Sequence, residues 1–383
     1  MEYTEDHFLF PLVTEPKSRW EKAGLSPRQE RSFNRVSLLL VALFLTGWLY
    51  SIFLAPPADL QARAPVARIA GALTRTPLAG DAPPEAAFVT EQVVESFSRS
   101  YQRDIGMLSG AVRVKVLKPG EALTAPRGLP RGAQVQMQPT QGTAGAAVDP
   151  AAGTQNPGIW NVVLKMADAL RPASDVAVIT LVPLSAKTSG RIGGYRIGAW
   201  PFERGGAPKP IYEPPPGLVK VTPENMNLWL SEHVQLKDFI TKGQNDVWPK
   251  YVAMQPQVLD KVELTLQELE RSGTPVKNIF VVSAFRTPSY NEGGGNTAGR
   301  ASLSRHMYGD AMDFCIDNNG DGRMDDLNGD GRVTVADGRV IGEAAERVER
   351  AHPQMVGGIG IYAPTGGHSG FVHLDTRGYR ARW

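Results

Sequence analysis

Cysteine is nearly absent from this sequence. The single cysteine, Cys315, excludes a disulfide bond within one chain. Runs of basic residues are absent as well, and 41 Lys and Arg against 39 Asp and Glu leave a net charge of only +2. Such a weak positive balance argues against a nucleic-acid partner. If the protein faces an oxidising compartment, apolar cores and bound ions must stabilise it in place of cystines.

A long uncharged apolar run stands near the N-terminus, at Val36–Leu54. At about 1.5 Å per helical residue, it nearly spans a hydrocarbon core of roughly 30 Å. Basic residues are concentrated before it, between Lys17 and Arg35. Because positive charge is retained on the cytoplasmic side, we expect a cytoplasmic tail at 1–35, a transmembrane anchor at 36–54, and export of the rest. A cleavable signal peptide is the alternative, although its polar lead and apolar run are usually shorter.

Composition divides the exported part into four segments. Residues 55–104 are rich in Ala, Pro and Arg, which is typical of a stalk, and contain one short amphipathic stretch. Residues 105–190 are predicted to be a small β-rich module, with strands at Ala111–Leu117, Ala133–Met137 and Asp175–Leu184. This module has no catalytic pattern, so we expect it to act as a spacer or to bind a protein partner. The Gly/Pro-rich residues 191–220 either link it to the last segment or wrap around the edge of that segment.

The last segment, residues 221–383, is predicted to be an α+β domain. Its apolar residues recur at helical spacing in some stretches and form strand-like runs in others. The helices are predicted at Gln257–Arg271 and Gly338–Ala351, and the strands at Asn278–Ser283, Ala311–Ile316 and Phe371–Asp375. Strands and helices that follow one another without a regular βαβ alternation indicate the α+β class.

Three residues of this segment have the chemistry of zinc ligands. His306 and Asp313 stand seven positions apart, and His373 lies in a later strand-like run. A neutral imidazole and a carboxylate are both good ligands for zinc. The small residues Gly309 and Ala311 would let the chain turn tightly between the first two. Three protein ligands and one open position are typical of catalytic zinc, which activates water and polarises a carbonyl.

The pattern Ser-x-His-x-x-Gly-x-Ala-x-Asp, at residues 304–313, followed by a strand-borne His, resembles the zinc D-alanyl-D-alanine carboxypeptidase and murein endopeptidase family. The resemblance covers Val221–Trp383. It implies a mixed α/antiparallel-sheet fold, shared with the Hedgehog signalling domain, and zinc bound by His306, Asp313 and His373. It also implies hydrolysis of peptide bonds in peptidoglycan, by a domain that faces the periplasm and cell wall from a bacterial inner membrane.

The stretch Ser283–Pro288 resembles the Ser-Gly-Tyr-Arg-like segment of that family, in which the Arg helps to hold substrate. The resemblance implies that Arg286 binds a substrate carboxylate or carbonyl, for which the guanidinium fork is well suited. The alternative is an ion pair with an Asp at the edge of the core. Cys315 lies two residues after Asp313, and we expect a small buried apolar residue there rather than a fourth ligand.

The usual general base of the family is missing. Gly370 and Phe371 stand where many members have a Glu three residues, or a His two residues, before the last ligand. Asp375 would point to the same strand face as His373, either as the base or as a carboxylate that orients an imidazole. His368, in a Gly-rich loop, is the other candidate. An inactive relative, acting as a zinc- and calcium-binding wall-binding or signalling module, is the alternative to an enzyme.

An acidic, Gly-rich stretch follows the predicted strand that ends at Ile316. Read from Asp326, oxygen-bearing side chains occupy the ligand positions of an EF-hand-type calcium loop, with Gly331 at the sharp turn. These ligand candidates are Asp326, Asn328, Asp330, Thr334 and Asp337. A second, overlapping loop has Asp317, Asn319, Asp321 and Asp325. The last ligand is Asp, as in dockerin-type loops, and hard oxygen donors favour Ca²⁺ over zinc. The sequence leaves open whether one ion binds, or two, or none.

Overall fold

The structure is a computed structural model that describes residues 108–123, 133–166, 169–205, 210–295 and 300–383. These residues belong to one compact unit, Pro84–Trp383. The predicted tail, anchor and stalk lie outside the described residues. Within the described ranges, the helices are all too short or too polar to cross a membrane.

The chain has a mixed α+β fold with several small sheets and few helices. The helices are α1 (Pro256–Arg271), α2 (Pro288–Gly293) and α3 (Val335–Ala351). The strands are β1 (Val114–Leu117), β2 (Gln134–Pro139), β3 (Gly158–Met166), β4 (Ala169–Thr180), β5 (Val182–Pro183), β6 (Arg191–Ile192), β7 (Tyr195–Arg196), β8 (Gly217–Val221), β9 (Lys250–Val252), β10 (Ile279–Ser283), β11 (Ala311–Ile316), β12 (Gly358–Tyr362), β13 (Phe371–Asp375) and β14 (Ala381–Arg382).

The β-rich part before residue 190 is a four-stranded sheet with strand order β1-β4-β3-β2. β1 runs parallel to β4, and the other neighbouring pairs are antiparallel. One face of this sheet packs into the main apolar core, while residues of its other face, among them Met137, Trp160 and Val178, form a smaller buried cluster of their own. Val114 and Ile179 belong to the same buried cluster as Leu259 of α1 and Phe314 of β11. The apolar core therefore runs through the boundary that composition suggested.

The Gly/Pro-rich residues 191–220 pack closely against the rest of the chain. β8 pairs with both β5 and β9, which ties this segment to the parts on either side of it. Trp200 is fully buried, and its Nε1 donates to the carbonyl oxygen of Met307 at 2.7 Å. Residues 191–220 therefore pack against the edge of residues 221–383, which is the second of the two possibilities predicted from the sequence.

A five-stranded sheet with strand order β10-β11-β13-β12-β14 forms the centre of residues 221–383. α1 and α3 pack together on one face of it. Gly338 of α3 permits a close approach, because a Cβ there would lie 2.6 Å from the Cγ2 of Ile361. Side chains alternate between the two faces of a strand, so His373 lies on the face opposite its apolar neighbours Val372 and Leu374. The face of the sheet opposite α1 and α3 carries the polar residues described next.

Candidate metal centre

Strand register brings two of the predicted ligands together. β11 and β13 are antiparallel, and Asp313 lies directly opposite His373. The third predicted ligand, His306, comes from a short 3₁₀ turn, Arg305–Tyr308, that leads into β11. Gly309 ends this turn with φ +73°, and a Cβ there would lie 2.4 Å from the backbone of Ala253. A residue other than Gly would therefore displace the turn that presents His306.

One atom of each side chain points to a common centre. His373 Nδ1 lies 2.8 Å from Asp313 Oδ1, and His306 Nε2 lies 3.1 Å from both of these atoms. The side chains are only 3–6% exposed. These distances place two imidazole nitrogens and a carboxylate oxygen close together in the buried interior.

The outer ring nitrogens determine which inner nitrogens carry lone pairs. His306 Nδ1 lies 2.6 Å from the Ala284 carbonyl oxygen, which can only accept, so this nitrogen donates. His373 Nε2 likewise donates to Asp375 Oδ2 at 3.0 Å. In the neutral rings, Nε2 of His306 and Nδ1 of His373 therefore carry lone pairs. These two nitrogen lone pairs and the carboxylate oxygen face one another, an arrangement that a bound cation or a proton on one imidazole would stabilise.

Electrostatics favour the deprotonated form at two of the three side chains. Burial would raise the pKa of the Asp313 carboxyl, but the two neighbouring imidazoles hold this pKa well below its usual range. Burial lowers the pKa of His306. Burial would also lower the pKa of His373, but hydrogen bonds and charge from Asp313 and Asp375 outweigh it and raise this pKa. An ionised carboxylate and a neutral His306 fit a zinc ion, and a proton on His373 would compete with the metal.

Asp375, predicted as base or as orienting carboxylate, uses both of its oxygens in hydrogen bonds. Oδ2 accepts from His373, and Oδ1 accepts from the backbone N–H of Gly358 at 2.8 Å. Arg377 Nε lies 2.9 Å from each oxygen. Burial would raise the pKa of the Asp375 carboxyl, but His373 and Arg377 hold this pKa well below its usual range. These contacts hold Asp375 as a carboxylate that orients the His373 imidazole.

Arg286 lies at the edge of the three ligands. Its Nη2 donates to Asp313 Oδ2 at 2.6 Å, and its Nε donates to Ser283 Oγ at 2.9 Å. The ion pair with an Asp that was the alternative prediction is therefore present, and its Asp is one of the ligands. One oxygen of Asp313 therefore faces the two imidazoles, and the other is paired with the Arg286 guanidinium. The Arg286 side chain is 18% exposed, so it can also be reached from solvent.

His368 contacts Phe371 and the backbone of its own loop. Its ring is edge-on to Phe371, with centroids 4.9 Å apart, and its Nδ1 accepts from the backbone N–H of Gly370 at 3.3 Å. Cys315 is fully buried, and burial raises the pKa of its thiol to about 12. A thiol that keeps its proton is a poor metal ligand.

Sequence reasoning missed four groups that border the site. They are the Ala284 carbonyl, Arg377, Tyr362 and Trp383. Arg377 follows Asp375 by two residues, and this spacing could have suggested a partner. The other three come from separate elements and are near the ligands only because of strand register.

The two predicted calcium loops repeat one hydrogen-bond pattern. The N–H of Gly322 donates to Asp317 Oδ2 at 2.9 Å, and the N–H of Gly331 donates to Asp326 Oδ2 at 2.7 Å. In the same way, the carbonyl oxygens of the Asn319 and Asn328 side chains accept from Asp321 N and Asp330 N at 2.9 Å. Asp325 Oδ2 accepts from Asn318 N at 2.8 Å. Each loop is therefore shaped by its own backbone, with carboxylate lone pairs left over.

The last two ligand candidates of the second loop, Thr334 and Asp337, also cap the N-terminus of α3. Thr334 caps α3 and accepts from Ala336 N at 3.0 Å, and Asp337 Oδ2 accepts from Thr334 N at 2.7 Å. Asp337 is fully buried, and its Oδ1 also accepts from Leu327 N at 2.8 Å. Thr334 and Asp337, the predicted ninth and twelfth ligands, therefore fix the start of α3 at Val335. The sequence predicts this start three residues later, at Gly338.

Two groups of His, Asp and Glu among the described residues have ligand atoms within 4.8 Å of one another. One is the candidate metal centre, and the other is Glu232, His233 and Glu263. Glu263 accepts from both the backbone N–H and Nδ1 of His233, at 2.9 Å each. This second group is a closed ion pair of His233 and Glu263, because it contains one imidazole and so lacks the two facing ring nitrogens of the candidate metal centre.

No protein-family model, curated protein or solved structure matches this chain. The resemblance to the zinc peptidases therefore stands on the motif residues alone.

Proposed function

We propose that this chain is a membrane-anchored zinc metallopeptidase that hydrolyses peptide bonds of peptidoglycan, as a D-Ala-D-Ala carboxypeptidase or a murein endopeptidase. The observation that carries the proposal is the convergence of His306 Nε2, His373 Nδ1 and Asp313 Oδ1 in a buried space. Nitrogen and carboxylate donors in this number are those of a catalytic zinc site. The uncharged run before the exported part supports a location beside the cell wall.

The chain's own residues would organise the reaction around the metal. Zinc, when bound, supplies a Lewis acid and lowers the pKa of water. Ala284 and Asp375 hold the two imidazoles in the tautomers that leave the inner nitrogens free. Arg286 is placed to orient a substrate carboxylate or carbonyl. Asp375 is engaged with His373 and Arg377, so His368 is the remaining candidate for the group that accepts a proton. Its Nδ1 would have to release the Gly370 N–H to do so.

The acidic loops are proposed to bind calcium in a structural role. Asp317 directly follows β11, the strand that carries Asp313, and Asp337 lies in the first turn of α3. Ions held between these points would fix β11 against α3. The carboxylate oxygens are hard donors for calcium, and the Oδ2 atoms of Asp317 and Asp326 each accept one backbone hydrogen bond, which leaves each a lone pair.

The second candidate function is a non-hydrolytic module that binds zinc, calcium and the cell wall. Both oxygens of Asp375 are engaged, and Gly370 and Phe371 occupy the usual positions of the family's base. A site that binds zinc but has no group to accept a proton would bind substrate without turnover.

Release of soluble fragments, with free D-alanine counted as well as peptide fragments, from purified peptidoglycan separates these functions. The full-length chain in detergent would be compared with His306→Ala, with His352→Ala as the matched control, and with a zinc chelator. We expect release by the wild type and the control, and none by His306→Ala or after chelation. Release that survives chelation would refute the zinc mechanism, and zinc-dependent binding without release would favour the module.

His368→Ala tests the proton acceptor. General acid–base groups typically contribute about 10²–10⁴-fold, so we expect kcat to fall within that range while the zinc content stays at the wild-type value. Unchanged kcat in the zinc-loaded variant would remove His368 from the mechanism.

A further inference from the structure

Tyr362 lies on the same sheet face as the metal ligands. β12 and β13 are antiparallel, with Tyr362 opposite Phe371 and Gly360 opposite His373. The Tyr362 ring is stacked on Phe371, with centroids 4.5 Å apart and planes at 16°. Because Phe371 is two residues before His373, both project from one face of β13. The phenol therefore stands one cross-strand pair away from a ligand.

Trp383 donates a hydrogen bond to the Tyr362 hydroxyl. The indole Nε1 lies 2.6 Å from the phenol oxygen. An indole N–H can only donate, so the phenol oxygen accepts and its own proton points elsewhere. Among the described residues, no protein group accepts this proton. Burial raises the pKa of the Tyr362 phenol, which therefore keeps its proton at neutral pH.

The indole is itself held against the site. A Cβ at Gly360 would lie 2.4 Å from Trp383 Nε1, so the glycine provides the space for the ring. The Trp383 and His373 rings have centroids 5.2 Å apart, and the Arg377 guanidinium lies 5.4 Å from the indole centroid. Trp383 remains 49% exposed. The Tyr362–Trp383 pair thus forms a solvent-facing wall beside the metal-binding imidazole.

We propose that Tyr362 is a further catalytic residue, which donates a hydrogen bond to the substrate carbonyl oxygen where negative charge develops, while Trp383 positions its hydroxyl. This inference rests on the proposed peptidase function. A donor fixed in advance, in a partly buried site, stabilises such charge without having to reorganise during the reaction. The Trp383 hydrogen bond provides this fixed orientation.

Tyr362→Phe removes the hydroxyl and keeps the stacked ring. In the full-length, zinc-loaded chain we expect kcat to fall about 100-fold or more, as on loss of one oxyanion donor, with KM little changed. Zinc content and thermal unfolding should equal those of the wild type. Tyr251→Phe is the matched control, because this tyrosine lies in β9 and packs against Tyr195, and it should leave kcat unchanged. Trp383→Phe keeps an aromatic ring but loses the N–H, and should give a smaller fall in kcat.

The outcomes separate this inference from the proposed function. An active wild type with unchanged kcat in Tyr362→Phe would overturn the role of Tyr362 alone. So would a rise in KM without a fall in kcat. If Tyr362→Phe lost zinc or stability, Trp383→Phe would decide, and an unchanged kcat there would overturn the inference. A wild type that releases no fragment would overturn the proposed function and the inference with it.

Discussion

The candidate metal centre and the acidic loops use carboxylates in opposite ways. In the metal centre, outer partners fix the far side of each imidazole, and the inner atoms face one another without a donor between them. In the acidic loops, backbone N–H groups already donate to the carboxylates. The first arrangement is stabilised by a cation or by a proton on one imidazole, whereas the second holds its shape through its own backbone hydrogen bonds. Metal should therefore determine function at one and add only stability at the other.

Asp313→Asn should break the metal centre most completely. Asn has the shape of Asp but lacks the charge that balances a dication, and it also removes the partner of Arg286. We expect zinc affinity to fall by more than the roughly 10–100-fold that loss of an outer partner costs, and activity to be lost. Titration with zinc by calorimetry measures this, beside Asp330→Asn as the matched control in the acidic loops. Equal zinc affinities in the two variants would contradict the assignment.

Asp375→Asn distinguishes the two predicted roles of this carboxylate. If Asp375 orients His373, zinc affinity should fall about 10–100-fold, and activity should return when excess zinc is supplied. If it is the base, zinc affinity should stay near the wild-type value while kcat falls. Zinc titration and steady-state kinetics on the same samples decide between them. Glu346→Gln, which alters an exposed ion pair with Arg380, is the control.

The strands and ligands of the metal centre could be predicted from the sequence in part. The strands Ala311–Ile316 and Phe371–Asp375 occur with the predicted bounds, because each is an uninterrupted apolar or alternating run. The motif spacing named the three residues that the structure brings together. β12 was not predicted, since glycines interrupt its apolar run. Yet β12 carries Tyr362 and the glycine that seats Trp383.

Cross-strand register explains most of what was missed. The Ala284 carbonyl and the Trp383 indole meet the site from elements that are distant in sequence. No local pattern encodes such a meeting, because it depends on how the whole sheet is assembled. The core shared by the β-rich part and the last segment was missed for a related reason. Composition marks where the chain turns and bends, but not which apolar faces pack together.

Calcium should stabilise the acidic loops by a modest amount. A ligand that binds only the folded state at ten times its Kd adds about 1.4 kcal/mol to the free energy of unfolding. Asp330→Asn should abolish this gain while leaving stability without calcium close to the wild-type value, because Asp330 is exposed. Thermal unfolding with and without calcium, at constant zinc, measures both. No calcium-dependent stabilisation of the wild type would refute the proposed structural site.

The closed pair His233–Glu263 gives the smallest expected effect. Burial would lower the pKa of His233, but the hydrogen bond and charge of Glu263 outweigh it, and this pKa is raised. The pair's stabilisation is therefore fully present below the unfolded-state pKa of about 6.5, and is lost as pH rises through the folded-state pKa. We expect His233→Gln to destabilise by about 1 kcal/mol near pH 6 and by less near pH 9. Denaturant unfolding at both values measures it.

Zinc binding by the same variant tests why this group differs from the metal centre. The ligand atoms of Glu232, His233 and Glu263 all lie within 4.8 Å of one another, as do those of the three candidate ligands, but this group has one imidazole instead of two. His233→Gln should therefore leave the zinc content of the chain unchanged. If the variant bound one zinc ion fewer than the wild type, proximity of His and Glu side chains would be enough to bind metal. The facing lone pairs of His306 and His373 would then no longer be what distinguishes the metal centre.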